Sequence, residues 1–163
     1  MTRGDAVHEE GRDRQSPETP RVRVLIASDG SDGAVAAGRF VAGLLAHGAA
    51  EVRLLTVVTG ESYPYGPFGE PLSDADDRLA AIRAEEEFAC GELARVLRAN
   101  GQSVAITHRF GHPPTEVLYE AREWKPGLIV AGRRGRGRAT SVVFGSVSER
   151  LLHHADCPVL IVP

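Results

Sequence analysis

A loop rich in glycine and arginine is the segment of this 163-residue chain best suited to chemistry. Positions 132 to 138 read Gly-Arg-Arg-Gly-Arg-Gly-Arg, directly after the apolar run Leu128–Ala131, and Gly145-Ser146 follows seven residues later. Glycines permit close backbone approach, the start of a following helix offers unpaired N–H donors, and guanidinium groups match phosphate oxygens. We interpret the segment as a strand–loop–helix anion site, with a flexible surface loop before a capped helix as the alternative.

Two polar segments near this chemistry also have ordinary structural interpretations. Ser146 and Glu149 have the spacing of a capping box, so Ser146 by itself predicts an N-cap rather than a ligand-binding group. Asp29-Gly-Ser-Asp32 follows the first apolar run, where turn and helix-cap chemistry is as good an explanation as binding.

The charge pattern indicates what kind of partner the loop would accept. The chain has 19 Lys and Arg against 22 Asp and Glu, a net charge of −3 that disfavours bulk nucleic-acid binding. Residues 124–148 nevertheless hold one lysine and four arginines with no acid, whereas residues 70–92 hold eight acids and two arginines. The low total therefore conceals a local positive site that fits one small, highly charged anion.

Short Val/Ile/Leu runs alternate with helix-length segments along the chain. This alternation predicts an α/β domain with a parallel sheet and right-handed crossovers. The predicted strands are Val22–Ser28, Val52–Val58, Val104–Phe110, Leu128–Gly132 and Pro158–Val162, and the predicted helices are Ala34–Ala46, Asp74–Ala99, Pro113–Trp124 and Ser146–His154.

The remaining segments predict a single soluble domain. Residues 1–20 are polar and charged, which predicts a disordered tail ahead of a domain at residues 21–163. The Pro/Gly-rich segment Thr59–Ser73 predicts a surface lid or flexible loop. The two cysteines, Cys90 and Cys157, are expected to be inert core thiols. No apolar run is typical of a secretory signal or a membrane span, so the chain is predicted to be cytoplasmic.

Several other groups are assigned no function from the sequence. Glu85–Glu87 predicts a solvated helix face. His108 and His112 are four residues apart, but the intervening Gly111 makes a shared helical face and a metal pair an unfavoured interpretation. Trp124 and Phe144 are interpreted as packing residues.

The glycine spacing resembles a known nucleotide-binding signature. Gly132-x2-Gly135-x9-Gly145-Ser146 is similar to that of the ATP-binding branch of the universal stress protein family, and the opening strand through Asp29 and the closing segment from His154 also resemble it. The resemblance covers about Arg21 to Pro163. It implies a three-layer, Rossmann-like fold of the adenine nucleotide alpha hydrolase type, with an open parallel five-stranded sheet in the order 3-2-1-4-5. Sheets of this kind bind ligands in the crevice between the first and fourth strands.

The resemblance also implies roles for individual residues. The Gly132 loop and the start of the last helix would wrap phosphates, the end of the first strand would lie beside the ribose and phosphates, and Val57 would meet adenine. Asp29 would help to hold Mg²⁺. The implied nucleotide-binding residues are Ala27, Ser28, Asp29, Val57, Ala131, Gly132, Arg134, Gly135, Gly145, Ser146, Val147 and Ser148.

The resemblance implies an ATP- and Mg²⁺-binding cytoplasmic stress or metabolic-state regulator that binds nucleotide rather than turning it over rapidly. The alternatives are a slow ATPase or nucleotide-dependent transferase on the same fold, and an interaction module that has lost nucleotide binding. In the strand order that the resemblance implies, the apolar segment Pro158–Val162 is an edge strand, and an uncovered apolar edge favours pairing with another chain. The resemblance implies that this partner is a second copy of the chain, in a twofold homodimer. No bulk nucleic acid and no membrane are expected as partners.

Overall fold

The core of the molecule is a sheet of five parallel strands in the order β3-β2-β1-β4-β5. The computed structural model describes residues 21–59, 75–135 and 144–163. The elements are β1 (Val22–Ala27), α1 (Asp32–Leu44), β2 (Ala50–Val58), α2 (Ala75–Ala99), β3 (Ser103–Phe110), α3 (Pro113–Trp124), β4 (Leu128–Gly132), α4 (Ser146–His154) and β5 (Val159–Val162).

The fold class and the strand order are confirmed, and the element bounds differ from the predicted ones by at most two residues. The predicted tail at residues 1–20, the lid at residues 60–73 and the arginines at positions 136 and 138 lie outside the described residues. Among the residues that are described, no helix is long and apolar enough to cross a membrane.

Alternate residues of the central strands face two separate hydrophobic clusters. Ile26 and Leu54 point toward α1 and α2, where they pack with Val41 and Leu97. Their neighbours in the strands point the other way, toward α3 and α4. This second cluster is Leu25, Leu55, Val117, Ile129, Ala131 and Leu151. Because both faces of the sheet are covered, the strands need nearly continuous apolar sequence, which is the pattern observed.

Helix starts are determined by local hydrogen-bonding chemistry. Ser31 is the N-cap of α1, and its hydroxyl accepts a hydrogen bond from Ala34 N at 3.3 Å, so the helix begins two residues before the predicted start. At α4 the prediction is wrong, because Gly145 occupies the N-cap and Ser146 is the first helical residue. The capping box is therefore absent, and the exposed Ser146 side chain is not used as a cap.

Buried charge fastens α3 to the sheet. Glu120 is only 4% exposed, and its carboxylate contacts Arg53 of β2 through one oxygen and Arg109 of β3, at 2.9 Å, through the other. Arg109 also donates to Glu116 at 2.7 Å. Since α3 begins at the rim of the sheet, this network determines where its first turn stands relative to β2.

Candidate functional site

A cavity of about 640 Å³ opens at the carboxyl ends of β1, β2 and β4. Ala27 of β1 pairs with Ala131 of β4 and also with Leu55 of β2, so these strands end close together. The strand order reverses between β1 and β4, and open α/β sheets bind ligands at such a switch point. The twelve residues singled out from the sequence all line this one cavity: Ala27, Ser28, Asp29, Val57, Ala131, Gly132, Arg134, Gly135, Gly145, Ser146, Val147 and Ser148.

One wall of the cavity is apolar. Leu55 and Val57 contribute to it from β2, and Pro113 and Val117 from the first turns of α3. The side chains come from the strand positions that face α3 and α4. A wall of this kind suits the flat, weakly polar face of a heteroaromatic ring.

A second wall of the cavity consists of the Gly132 loop and the start of α4. The first hydrogen bond of the helix runs from Glu149 N to Gly145 O. The three N–H groups of residues 146–148 therefore precede the helical ladder, at the positive end of the helix dipole. Arg134 adds a guanidinium to the same part of the cavity lining. This wall favours an anion.

The packing around Gly132 leaves no room for a side chain. A Cβ at this position would stand 2.6 Å from the backbone carbon of Gly33 and 2.8 Å from its oxygen. A Cβ on Gly33 would in turn stand 2.7 Å from Arg134 O. The end of β4 and the first turn of α1 therefore touch backbone to backbone.

Gly135 and Gly145 differ from each other in how much room surrounds them. A Cβ on Gly135 would overlap the Asp29 carboxylate, so this glycine lets the loop approach the end of β1. A Cβ on Gly145 would be 3.4 Å from its nearest neighbour, Arg133 O, which is an ordinary contact.

Ser148 holds the loop against α4. Its side chain is buried, and its hydroxyl lies 3.0 Å from Gly132 O and 2.9 Å from Arg133 O, so its single proton is shared between these two carbonyl acceptors. Gly145 N donates to the same Arg133 carbonyl at 2.9 Å. These hydrogen bonds fix the backbone conformation of the loop, and the role of the Ser148 hydroxyl is to stabilise that conformation.

The sequence left open whether the segment Asp29–Asp32 forms an ordinary turn or a binding site, and the structure shows a turn that also lines the cavity. Asp29 Oδ1 accepts a hydrogen bond from Ser31 N at 3.0 Å, and Ser28 Oγ accepts one from Gly30 N at 3.3 Å. Gly30 has a φ of 71°, which the turn requires. Ser28 and Asp29 also line the cavity, so turn chemistry positions them at its rim.

Sequence reasoning missed part of the lining. The prediction that residues 85–87 form a solvated face is wrong for Glu86, which is half-buried and lines the cavity, whereas Glu87 is exposed. Phe144, interpreted as a packing residue, also lines it. The sequence signal that could have found Glu86 is its position one helical turn before Cys90, on the same face of α2 as the buried residues Leu93 and Leu97. The other lining residues that were missed are Ala34, Leu55, Val58, Thr59, Pro113, Val117 and Glu149.

Cys90 is fully buried, whereas Cys157 is only partly buried. Cys90 is buried in α2, with Sγ 3.2 Å from Thr56 Oγ1 and 3.8 Å from Ser28 Oγ. Burial raises the pKa of the Cys157 thiol, with a contribution from the nearby Asp156 charge. Among residues 21–59, 75–135 and 144–163, no group of three or more His, Cys, Asp or Glu side chains could hold a metal ion.

The fold and the position of the cavity define a Rossmann-like α/β protein with a cavity at its switch point. The model of the Universal stress protein family matches residues 21–163, and the chain belongs to that family. A universal stress protein of Thermus aquaticus is 36% identical over 140 residues, covering 85% of this chain and 96% of that protein. Universal stress protein MJ0531 of Methanocaldococcus jannaschii is 28% identical over 142 residues, covering 86% of this chain and 81% of that protein.

Solved structures of the family share the fold. UspA from Lactobacillus plantarum superimposes with a TM-score of 0.72 at 22% identity, covering 88% of this chain and 99% of that one. A universal stress protein in complex with cAMP superimposes with a TM-score of 0.60 at 21% sequence identity, covering 87% of this chain and 96% of that one. The universal stress protein of Archaeoglobus fulgidus in complex with dAMP superimposes with a TM-score of 0.60 at 20% sequence identity, covering 89% of this chain and 99% of that one. At these identities the likeness is one of fold.

Proposed function

We propose that this protein binds an adenine nucleotide, ATP with Mg²⁺, in the cavity at the β1–β4 switch point. In this proposal it acts as a cytoplasmic stress or metabolic-state regulator that binds nucleotide rather than turning it over rapidly. The observation that carries the proposal is the pairing, in one cavity, of an apolar wall with a wall of glycine backbone and helix N–H donors.

The apolar wall is the proposed place for adenine. Val57 and Leu55 of β2 and Val117 of α3 offer aliphatic surface to the ring faces, and the backbone at the end of β2 offers hydrogen-bonding groups to its edge. A ring held here lies against β2 and the first turns of α3. The phosphates would then extend toward the Gly132 loop.

The start of α4 is the proposed phosphate site. The N–H groups of residues 146–148 and the exposed Ser146 hydroxyl suit phosphate oxygens, and the Arg134 guanidinium adds a charge-assisted partner. The complexes of family members with cAMP and dAMP support an adenine nucleotide as the class of ligand. Our choice of ATP rests on the excess of arginine in residues 133–138, which favours the ligand with the most phosphate charge.

Asp29 is the proposed protein ligand of Mg²⁺. Its carboxylate lies at the cavity rim against Gly135, next to the proposed phosphate site. Mg²⁺ commonly binds through one or two carboxylates together with phosphate oxygens and water. The donor set at the rim fits that mode, in which the nucleotide brings most of the ligands.

The proposed assembly is a homodimer through β5. Among the described residues this strand lies at one edge of the sheet and pairs with β4 along one side only. Its other side offers backbone N–H and C=O groups to a second copy of the same strand.

Calorimetric titration with ATP, AMP, cyclic AMP and adenosine tests the proposal. We expect ATP to bind and adenosine to bind much more weakly, because the α4 wall contributes only when phosphate is present. Absence of ATP heat and of any ATP-dependent rise in melting temperature would refute the proposal. Release of inorganic phosphate, measured in the same samples, tests the alternatives. A turnover above about 1 per second would favour an ATPase or transferase instead.

A further inference from the structure

Glu86 interrupts the apolar face of α2 at the point where that helix reaches the cavity. Cys90, Leu93, Ala94 and Leu97 are all buried, and their spacing defines the face that packs on the sheet. Glu86 stands one turn before Cys90 on that face, where packing alone favours an apolar side chain. It is half-buried and lines the cavity.

The contacts of Cys90 locate Glu86 above the ends of β1 and β2. Cys90 Sγ lies 3.2 Å from Thr56 Oγ1 of β2 and 3.8 Å from Ser28 Oγ, just after β1. Helix α2 runs back along the sheet from the carboxyl ends of the strands, so a residue one turn earlier is about 5 Å nearer the rim. Glu86 thus lines the cavity from the α2 side, whereas the start of α4 lies on the opposite face of the sheet.

Electrostatics determines which part of a nucleotide such a carboxylate accepts. It repels phosphate and accepts hydrogen bonds, so it favours a group that carries O–H or N–H donors. The donors of an adenosine nucleotide are the amino group of the base and the two ribose hydroxyls. With adenine on the apolar wall and phosphates at α4, the ribose crosses the ends of β1 and β2, the region that Glu86 faces.

We infer that Glu86 accepts hydrogen bonds from the ribose hydroxyls and so selects nucleotides with a free 2′,3′-diol over deoxy and 3′,5′-cyclic forms. The inference rests on the proposed adenine-nucleotide function and adds to it a specificity-determining residue on α2. It concerns this chain's own preference among nucleotides.

Titration of the full chain with ATP, 2′-deoxy-ATP and 3′-deoxy-ATP tests the inference. A hydrogen bond to a charged group corresponds to a discrimination of about 10- to 100-fold, so wild type is expected to prefer ATP by that factor. Glu86→Gln, which keeps an acceptor without the charge, should reduce the ratio to about 3- to 10-fold, and Glu86→Ala should bring it near 1. Glu87→Ala is the matched control, since the exposed Glu87 on the same helix should leave the ratio as in wild type.

The outcomes separate this inference from the proposed function. If wild type binds ATP but Glu86→Ala keeps the wild-type ratio, the role of Glu86 is refuted while nucleotide binding stands. An equal gain in affinity for all three nucleotides in Glu86→Ala also refutes it, because Glu86 would then act only by repelling phosphate. If wild type binds no nucleotide, both proposals fail together. Melting curves check that each variant is folded, and Glu86→Gln carries the test if the alanine variant is not.

Discussion

Replacing Ser146 with aspartate should change stability and nucleotide affinity in opposite directions. Ser146 is the first residue of α4 and its side chain is exposed in the cavity lining. An acid in the first turn of a helix interacts favourably with the helix dipole, by about 0.3–1 kcal/mol. The Ser146→Asp variant is therefore expected to unfold at the same temperature as wild type or slightly higher.

The same carboxylate would stand beside the proposed phosphate site. Two like charges about 4 Å apart repel by about 1 kcal/mol in a water-like environment and by about 4 kcal/mol at the effective dielectric constant typical of protein surfaces. The cavity is open and the side chain is exposed, so the lower half of this range applies. This corresponds to a loss of ATP affinity of about 5- to 60-fold.

Calorimetry at two salt concentrations is the assay, with thermal unfolding of the same samples. Ser103→Asp is the matched control, because it makes the same charge change at an exposed position at the amino end of β3, away from the cavity. The loss in Ser146→Asp should shrink at high salt because the repulsion is screened. If Ser146→Asp binds ATP as tightly as Ser103→Asp does at low salt, phosphate does not bind at the start of α4 and the reasoning is wrong.

Three further predictions follow from the packing and the thiol chemistry. Gly132→Ala should lower the free energy of unfolding by about 1–3 kcal/mol, because its Cβ would stand 2.6 Å from the Gly33 backbone, whereas denaturant titration of Gly145→Ala should show a smaller loss. Glu120→Ala should cost about 2–3 kcal/mol in the same assay, because two guanidinium groups lose their buried partner; a wild-type midpoint would contradict this. Alkylation of Cys157 by iodoacetamide at pH 8.5 should be slower than that of a free cysteine and should accelerate at higher pH, because its raised pKa leaves less thiolate; equal rates would contradict the effect of burial. Sedimentation at micromolar concentration checks the proposed dimer, and a monomer would rule it out.

Elements with strong local signals were predictable from the sequence. The apolar run Leu128–Gly132 predicts β4 with the observed bounds, because a strand covered on both faces needs nearly uniform apolar sequence. Pro113 and Pro114 mark the start of α3 for the equally local reason that proline suits the first turn of a helix. Ser146 shows the limit of such signals, since Gly145 took the cap position despite a favourable capping-box spacing.

Residue type and short-range spacing were enough to predict the α/β alternation, the glycine–arginine loop and the segments that end near it. Tertiary structure alone decided that Gly132 packs on Gly33 and that Ser148 holds the loop. It also decided that Glu86, which is at least 46 residues away in sequence from Gly33, Gly132 and Ser148, lines the same cavity. Such contacts depend on how strands distant in sequence end side by side. The helical spacing places Glu86 on the buried face of α2, but no local pattern specifies that this face meets the cavity.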